Sequence, residues 1–189
     1  MGYAFISGIP ASGKSYVAKK VADKAGTVHV DLDKLRMEML KDPKLEPWVS
    51  FFWNHDESEY WENTNPEKHW ANLNKQSEAM WPFILKHIKG VQEKEKSAIF
   101  ECVNILPHLA KRDLTFPGVY LLGESMEVIL ERLAIIPRWG DSALLQKKEA
   151  EYFYMHEGKK YKSAAGKYGY KSFSDNKEAE KELLRLLAI

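Results

Sequence analysis

Eight residues near the start of the chain, Gly8-Ile9-Pro10-Ala11-Ser12-Gly13-Lys14-Ser15, restrict its fold more than any other stretch. Their spacing satisfies G-x-x-x-x-G-K-[ST]. The apolar run Tyr3 to Ser7 before them reads as a buried strand. After them, Ser15 to Lys24 puts Val17, Ala18, Val21 and Ala22 on one side of a helix that Gly26 stops. Between a strand and a helix, the two glycines let the backbone wrap an anion with its N–H groups inward, and the helix N-terminus adds positive potential. Lys14 then reaches the β and γ phosphates of a nucleoside triphosphate, taken as ATP, and the Ser15 hydroxyl ligates Mg²⁺.

The rest of the chain continues the alternation. Thr27 to Asp31 reads as a second strand, Asp33 to Lys41 as a helix, Ala98 to Val103 as a third strand and Gly118 to Leu122 as a fourth. A helix from Ser125 to Ala134 has Ser125 as its N-cap, and Ser142 to Tyr154 is another. Tyr168 to Phe173 is a weaker fifth strand, and a closing amphipathic helix, capped by Asp175 or Asn176, buries Leu183, Leu184 and Leu187. Short apolar strands alternating with helices predict an α/β fold, a parallel sheet covered on both faces, with ligands beyond the carboxyl ends of its strands.

One stretch interrupts this order. Residues 42 to 92 separate the second and third strands and hold five of the six tryptophans: Trp48, Trp53, Trp61, Trp70 and Trp81. Pro66 to Ile88 within it has helical spacing with Asn65 as cap, and Pro82 predicts a kink or break. The stretch reads as an inserted helical cap over the acceptor side of a single domain spanning 1–189. Its tryptophans either pack that lobe or stack a flat group.

Composition narrows the partners. Lys plus Arg number 28 against 27 Asp plus Glu, so bulk charge gives no support to a nucleic-acid partner, although a local basic groove is compatible with it. No apolar run approaches the ~20 residues of a membrane helix, and the first residues read as a strand rather than a signal peptide. The single cysteine, Cys102, sits in an apolar run and is expected to be a buried, inert thiol. A cytoplasmic protein is the expectation.

On the acceptor side, Asp31 and Asp33 end the second strand, and Arg36 shares a helix face with Asp33. A carboxylate there can take the proton of an attacking hydroxyl, and the arginine can grip an anionic group. Either Asp33 is the base and Asp31 lies near the metal with Ser15, or Asp33 merely caps the helix. Glu101 interrupts the third strand, as a second acidic site group binding metal-held water or acceptor, or as half of a structural ion pair. Residues 132 to 142 read as a lid-like segment in which Arg138, then Arg132, can neutralise charge on the transferred group; Arg112 is a weaker candidate. The histidines show no metal-ligand pairing.

With these residues in view, the chain resembles the nucleoside-monophosphate-kinase-like branch of P-loop kinases. More narrowly it resembles the group of polynucleotide kinases, chloramphenicol phosphotransferase and zeta toxins. The resemblance is carried by Gly8 to Ser15, by Asp33-Lys34-Leu35-Arg36, and by the arginine-containing stretch 132 to 138. It implies a three-layer sandwich with five parallel strands in order 2-3-1-4-5, Asp33 as general base, and Arg36 contacting the acceptor. Two features depart from the pattern: the Trp-rich insertion, and Glu101-Cys102-Val103-Asn104, which lacks the glycine often found after that acid. A hydrophobic strand ending in Asp-Glu is missing from the sequence, which argues against a motor. The expected activity is ATP-dependent phosphorylation of a hydroxyl or phosphate on a small molecule. The alternatives are a kinase of polynucleotide 5′-hydroxyls and a non-catalytic nucleotide-binding sensor.

Overall fold

Ala4, Phe5 and Ile6 are fully buried, as a strand enclosed on both faces requires, and they form the middle of the computed structural model, which describes residues 2–188. This strand, β1 (Tyr3–Gly8), is followed by α1 (Lys14–Ala25) and β2 (Val28–Asp31). A 3₁₀ turn over Leu32–Leu35 leads into the short α2 (Arg36–Met39), α3 (Glu46–Val49) and α4 (Glu57–Asn63). Then come the long α5 (Pro66–Lys94), β3 (Ala98–Glu101), α6 (Pro107–Asp113), β4 (Gly118–Leu121) and α7 (Met126–Ile135). The chain closes with α8 (Ala143–Glu151), a π-helical turn (Tyr152–Glu157), α9 (Gly158–Lys167), β5 (Lys171–Phe173) and α10 (Asn176–Leu187).

All five strands are parallel and run in the order β2-β3-β1-β4-β5, the arrangement implied by the resemblance. Successive side chains of a strand point to opposite faces, which divides the core in two. Ala4 and Ile6 join Val17 and Val21 of α1 and Leu183 and Leu187 of α10. Phe5, Phe100 and Tyr120 face the other way, against Trp81, Ile84 and Ile88 of α5 and Tyr161 of α9. The register sets Ile6 and Asp31 on either side of Glu101, and Gly8 beside Leu121. The functional candidates thereby meet at one edge of the sheet.

The end signals act as their chemistry predicts. Asn65, Ser125 and Asp175 each accept a first-turn backbone N–H, from Lys68, Val128 and Glu178, while Gly26 ends α1 in the left-handed conformation at φ 61°. Two expectations change. Pro82 does not break α5, which runs unbroken for 29 residues. The residue is exposed, and so is Glu78, whose carbonyl loses its partner, so water serves that carbonyl while Trp81 and Ile84 stay buried beneath. The helix beginning near Ser142 does not stop at Tyr154 but continues through the π turn and α9 to Lys167. Gly158 and Gly166 within it hide the helical pattern.

Residues 42 to 92 therefore have two roles. The short helices and the first turns of α5 lie over the strand ends, and the later turns of α5 cover the sheet itself. Among the described residues no helix is long and apolar enough to cross a membrane. Replacing exposed Pro82 by Ala should stabilise the protein by up to ~3 kcal/mol by restoring a helical hydrogen bond. Ile84→Ala should cost about 2–5 kcal/mol through the cavity it leaves. Urea denaturation of both variants tests this: a destabilising Pro82→Ala would show that the proline's fixed φ matters more than the missing hydrogen bond.

Candidate functional site

At the end of β1 the chain must turn where no side chain fits. A Cβ on Gly8 would stand 2.1 Å from the Leu121 carbonyl oxygen, and φ at Gly8 is +127°. Ala11 (φ 53°) and Gly13 (φ 101°) continue the unusual backbone. Ser12 Oγ and Lys14 Nζ both donate to the Ile9 carbonyl, at 2.8 and 2.7 Å, bracing the loop from inside. Helix α1 starts directly after Gly13 with no acidic residue in its first turn, leaving its first N–H groups free to receive an anion. Lys14 is buried, and burial lowers its pKa, while Glu101 and then Asp33 favour its charged form.

Beside the loop, Ser15 Oγ donates to Glu101 Oε1 at 2.8 Å, and His29 Nε2 lies 3.3 Å from Glu101 Oε2. Glu101 is 2% exposed at the end of β3, so the strand next to the loop does carry an acid at its tip, although as Glu-Cys rather than Asp-Glu. A hydroxyl and a carboxylate are the hard oxygen donors Mg²⁺ takes, with water and phosphate completing its shell. These residues fit that ion. Asp31 takes another part: its Oδ1 accepts the Asp33 backbone N–H at 3.1 Å and caps the 3₁₀ turn, with Lys34 Nζ at 3.4 Å from Oδ2.

Asp31 also borders the adjoining pocket, with one oxygen spent on the cap, and beside it lies the Asp33 side chain, which caps nothing. The Cys102 thiol donates to its Oδ1 at 3.3 Å, and Arg36 Nε stands 4.0 Å away. Burial, then the Asp33 charge, pushes the Cys102 thiol well above its ordinary pKa, so this cysteine is a donor to the carboxylate and not a nucleophile. Arg36 is held on two further sides, by Asn104 Oδ1 at 2.7 Å and by the face of Trp53 at 5.7 Å. Asn104 is itself buried and fixed by Ser77 Oγ at 2.8 Å.

The arginines of residues 132 to 142 separate. Arg132, in the last turn of α7, donates to the Ala11 carbonyl at 2.9 Å and lies over Gly13. Arg138 is exposed on the loop, lines the pocket and acts on both Lys14 and Glu149. Trp53 Nε1 holds its carbonyl at 3.3 Å. Arg112 pairs with its neighbour Asp113 at 2.7 Å and does not border the pocket.

The pocket has a volume of about 410 Å³ and reaches from Pro10 of the phosphate loop and Asp33 to the inserted helices. Phe52, Trp53, Trp61, Trp139 and Phe153 give it aromatic walls. Trp48, Trp70 and Trp81 pack elsewhere, on Phe51, on Tyr161 and against Asp113. Three ionisable groups absent from the sequence expectations also line it: His69, Glu149 and Glu157. His69 Nε2 meets Glu157 Oε1 at 2.6 Å, and its Nδ1 meets the Tyr60 hydroxyl at 2.8 Å. In the sequence they look like any solvated polar residues, so only the fold reveals them.

No protein-family model matches the chain, and no curated relative matches it by sequence. Solved structures do resemble it. A gluconokinase from Sinorhizobium meliloti superposes with TM-score 0.51 at 17% identity, covering 99% of this chain and 91% of that one. Shikimate kinase from Acinetobacter baumannii, in complex with shikimate, gives 0.53 at 13% identity over 98% and 89% of the two chains. Shikimate kinase from Aquifex aeolicus gives 0.50 at 17%, over 98% and 96%. The fold is that of the P-loop kinases. At these identities the likeness is one of fold, and the site must be argued from its own residues.

Glu149 supplies a pH test. Burial first, then the Glu57 carboxylate, opposed by Arg138 and reinforced by Glu157, raises its pKa to about 8 from an ordinary 4.5. The folded state thus holds a proton that the unfolded chain releases above pH ~4.5, so this group erodes stability as pH rises from there to about 8. Glu149→Gln should stabilise the protein at pH 8, on the order of a few kcal/mol, and flatten the decline between pH 5 and 8. Thermal melts across that range would show it, and an unchanged slope would refute it.

Proposed function

We propose that the chain is an ATP-dependent kinase that phosphorylates a small molecule bound between the phosphate loop and the inserted helices. One observation carries this reading: the Asp33 carboxylate and Pro10 of the phosphate loop border the same pocket. An acceptor there lies between a base and a phosphate-binding loop, the proximity that phosphoryl transfer requires.

In this reading the N–H groups of Gly8 to Ser15 hold the polyphosphate, and Lys14 exchanges the Ile9 carbonyl for a phosphate oxygen. Ser15 and Glu101, with Asp31 on the neighbouring strand, would hold Mg²⁺, which would supply neutralisation of phosphate charge. Asp33 accepts the proton of the acceptor hydroxyl as its oxygen bonds to the γ-phosphorus, and the bond from that phosphorus to the bridging oxygen breaks to release ADP. The Cys102 thiol and Arg36 fix the carboxylate's direction. Arg132 lies on the loop and Arg138 at the pocket, where positive charge stabilises the transferred group.

Arg36 is already held by Asn104 and Trp53, so it serves Asp33 at least as well as it serves an anionic acceptor. The pocket's acidic residues favour a compact acceptor over a polyanionic strand. The finer placement near polynucleotide kinases, chloramphenicol phosphotransferase and zeta toxins rests on the motif residues.

Asp33→Asn should lower acceptor-stimulated ADP release by roughly 10²–10⁴-fold while leaving ATP affinity unchanged. Asp31→Asn should cost stability more than turnover, through the lost cap. Activity should be followed with nucleosides, polyols, amino alcohols and a 5′-hydroxyl oligonucleotide as acceptors. Undiminished turnover in Asp33→Asn would displace the base to Asp31. Stimulation by the oligonucleotide alone would establish the polynucleotide reading, and stimulation by none of them would favour a sensor.

A further inference from the structure

Two residues of the pocket wall each carry a carboxylate oxygen with no partner. Oε2 of Glu149 and Oε2 of Glu157 are buried without a hydrogen bond, although both residues line the pocket and are only 2% and 4% exposed. An acceptor left unpaired in such a place costs about 1–3 kcal/mol, and more when charged. Glu57, which receives the Trp61 indole N–H at 3.2 Å, adds a third acid close enough to act on Glu149. Arg138, on its exposed loop, is the cation that opposes them at Glu149.

The helix through α8 and the π turn explains how two of the acids share a wall. Glu149, Phe153 and Glu157 are spaced four apart and all reach the pocket. The wider π turn offsets the drift that this spacing has on an α-helix. Glu157 is held in place from behind, with one oxygen on His69, and His69 in turn on Tyr60. This leaves Oε2 as the remaining acceptor.

We infer that this wall binds the protonated amino group of the acceptor, so that the substrate class is a hydroxylated amine carrying a flat or apolar portion. The inference rests on reading this pocket as the acceptor site. Once a cation displaces the proton that Glu149 holds, both carboxylates only accept hydrogen bonds, and an ammonium is all donor, with three N–H groups and no acceptor. A polyol can donate to the same oxygens, but it carries no charge to balance theirs. The aromatic rings of Trp61 and Trp139 in the same pocket add attraction for a cation, and the ammonium offsets the charge that burial suppresses on Glu149. A metal ion fits less well, because among the described residues no three His, Cys, Asp or Glu side chains converge as ligands.

The test uses the full chain with three matched probes: 2-amino-1-phenylethanol, its N-acetyl derivative and 1-phenylethane-1,2-diol. Quenching of tryptophan fluorescence reports binding, and ADP release reports transfer. The amine should bind at least about tenfold more tightly than either partner, the size of one charge-assisted hydrogen bond. Glu149→Gln and Glu157→Gln should each remove most of that preference by weakening the amine far more than the diol, with thermal melts confirming that both variants fold. An amine that binds no better than its partners, or not at all, overturns the inference. So does a preference that survives both substitutions. Asp33→Asn should keep the preference and lose only transfer. An amine bound with this preference but never phosphorylated by the wild type would uphold the subsite and sink the kinase reading.

Discussion

The close approach of β1 to β4 at Gly8 governs the geometry of everything that follows it. A side chain there would overlap the Leu121 carbonyl, so the backbone alone can make the turn out of the sheet. That turn sets the loop, the loop sets where α1 begins, and the first turn of α1, without a side-chain cap or an acid, attracts an anion. The parallel register then brings the tips of β2 and β3 level with it. Glu101 is the neighbour of both Ile6 and Asp31 for this reason, and Ser15 can reach it.

Asp31 and Asp33 show how local geometry divides labour between two identical side chains two residues apart. Both border the pocket, but the first spends an oxygen on a backbone N–H, while the second has a thiol and a guanidinium beside it. Neither partner neutralises Asp33 fully: the thiol donates a weak hydrogen bond and the arginine sits at 4.0 Å. A carboxylate held in direction without being consumed in an ion pair keeps its capacity to take a proton. On the far wall the reverse holds. Glu149 and Glu157 are buried with too few donors, an arrangement that costs stability and that folding alone would not favour.

The legible part of this protein was local and periodic. Strand positions, the glycine-bounded loop, the Asn65, Ser125 and Asp175 caps and the chain-closing helix follow from spacing and side-chain chemistry. Of the kink or break that Pro82 predicts, the break is absent, because Pro82 and Glu78 lie on the exposed face, where a missing helical hydrogen bond costs least. The helix beyond Tyr154 was hidden by two glycines that its packing tolerates. His29, His69, Glu149 and Glu157 carry no local mark of their role; each gains it from a partner 72, 88 or more residues away, or from a pocket wall that several elements share.

The amino-acid sequence by itself determined the phosphate loop and the alternation of strands and helices, because both depend on residues adjacent along the chain. It also marked Asp31, Asp33 and Glu101 as acids at strand ends. Which aspartate caps, which acid meets Ser15, and that Cys102 points at Asp33 were decided only by tertiary structure. The pocket's aromatic walls and unpaired carboxylates belong there too. Such features arise where segments distant in sequence exclude water together, and burial, not residue identity, sets what a carboxylate can do.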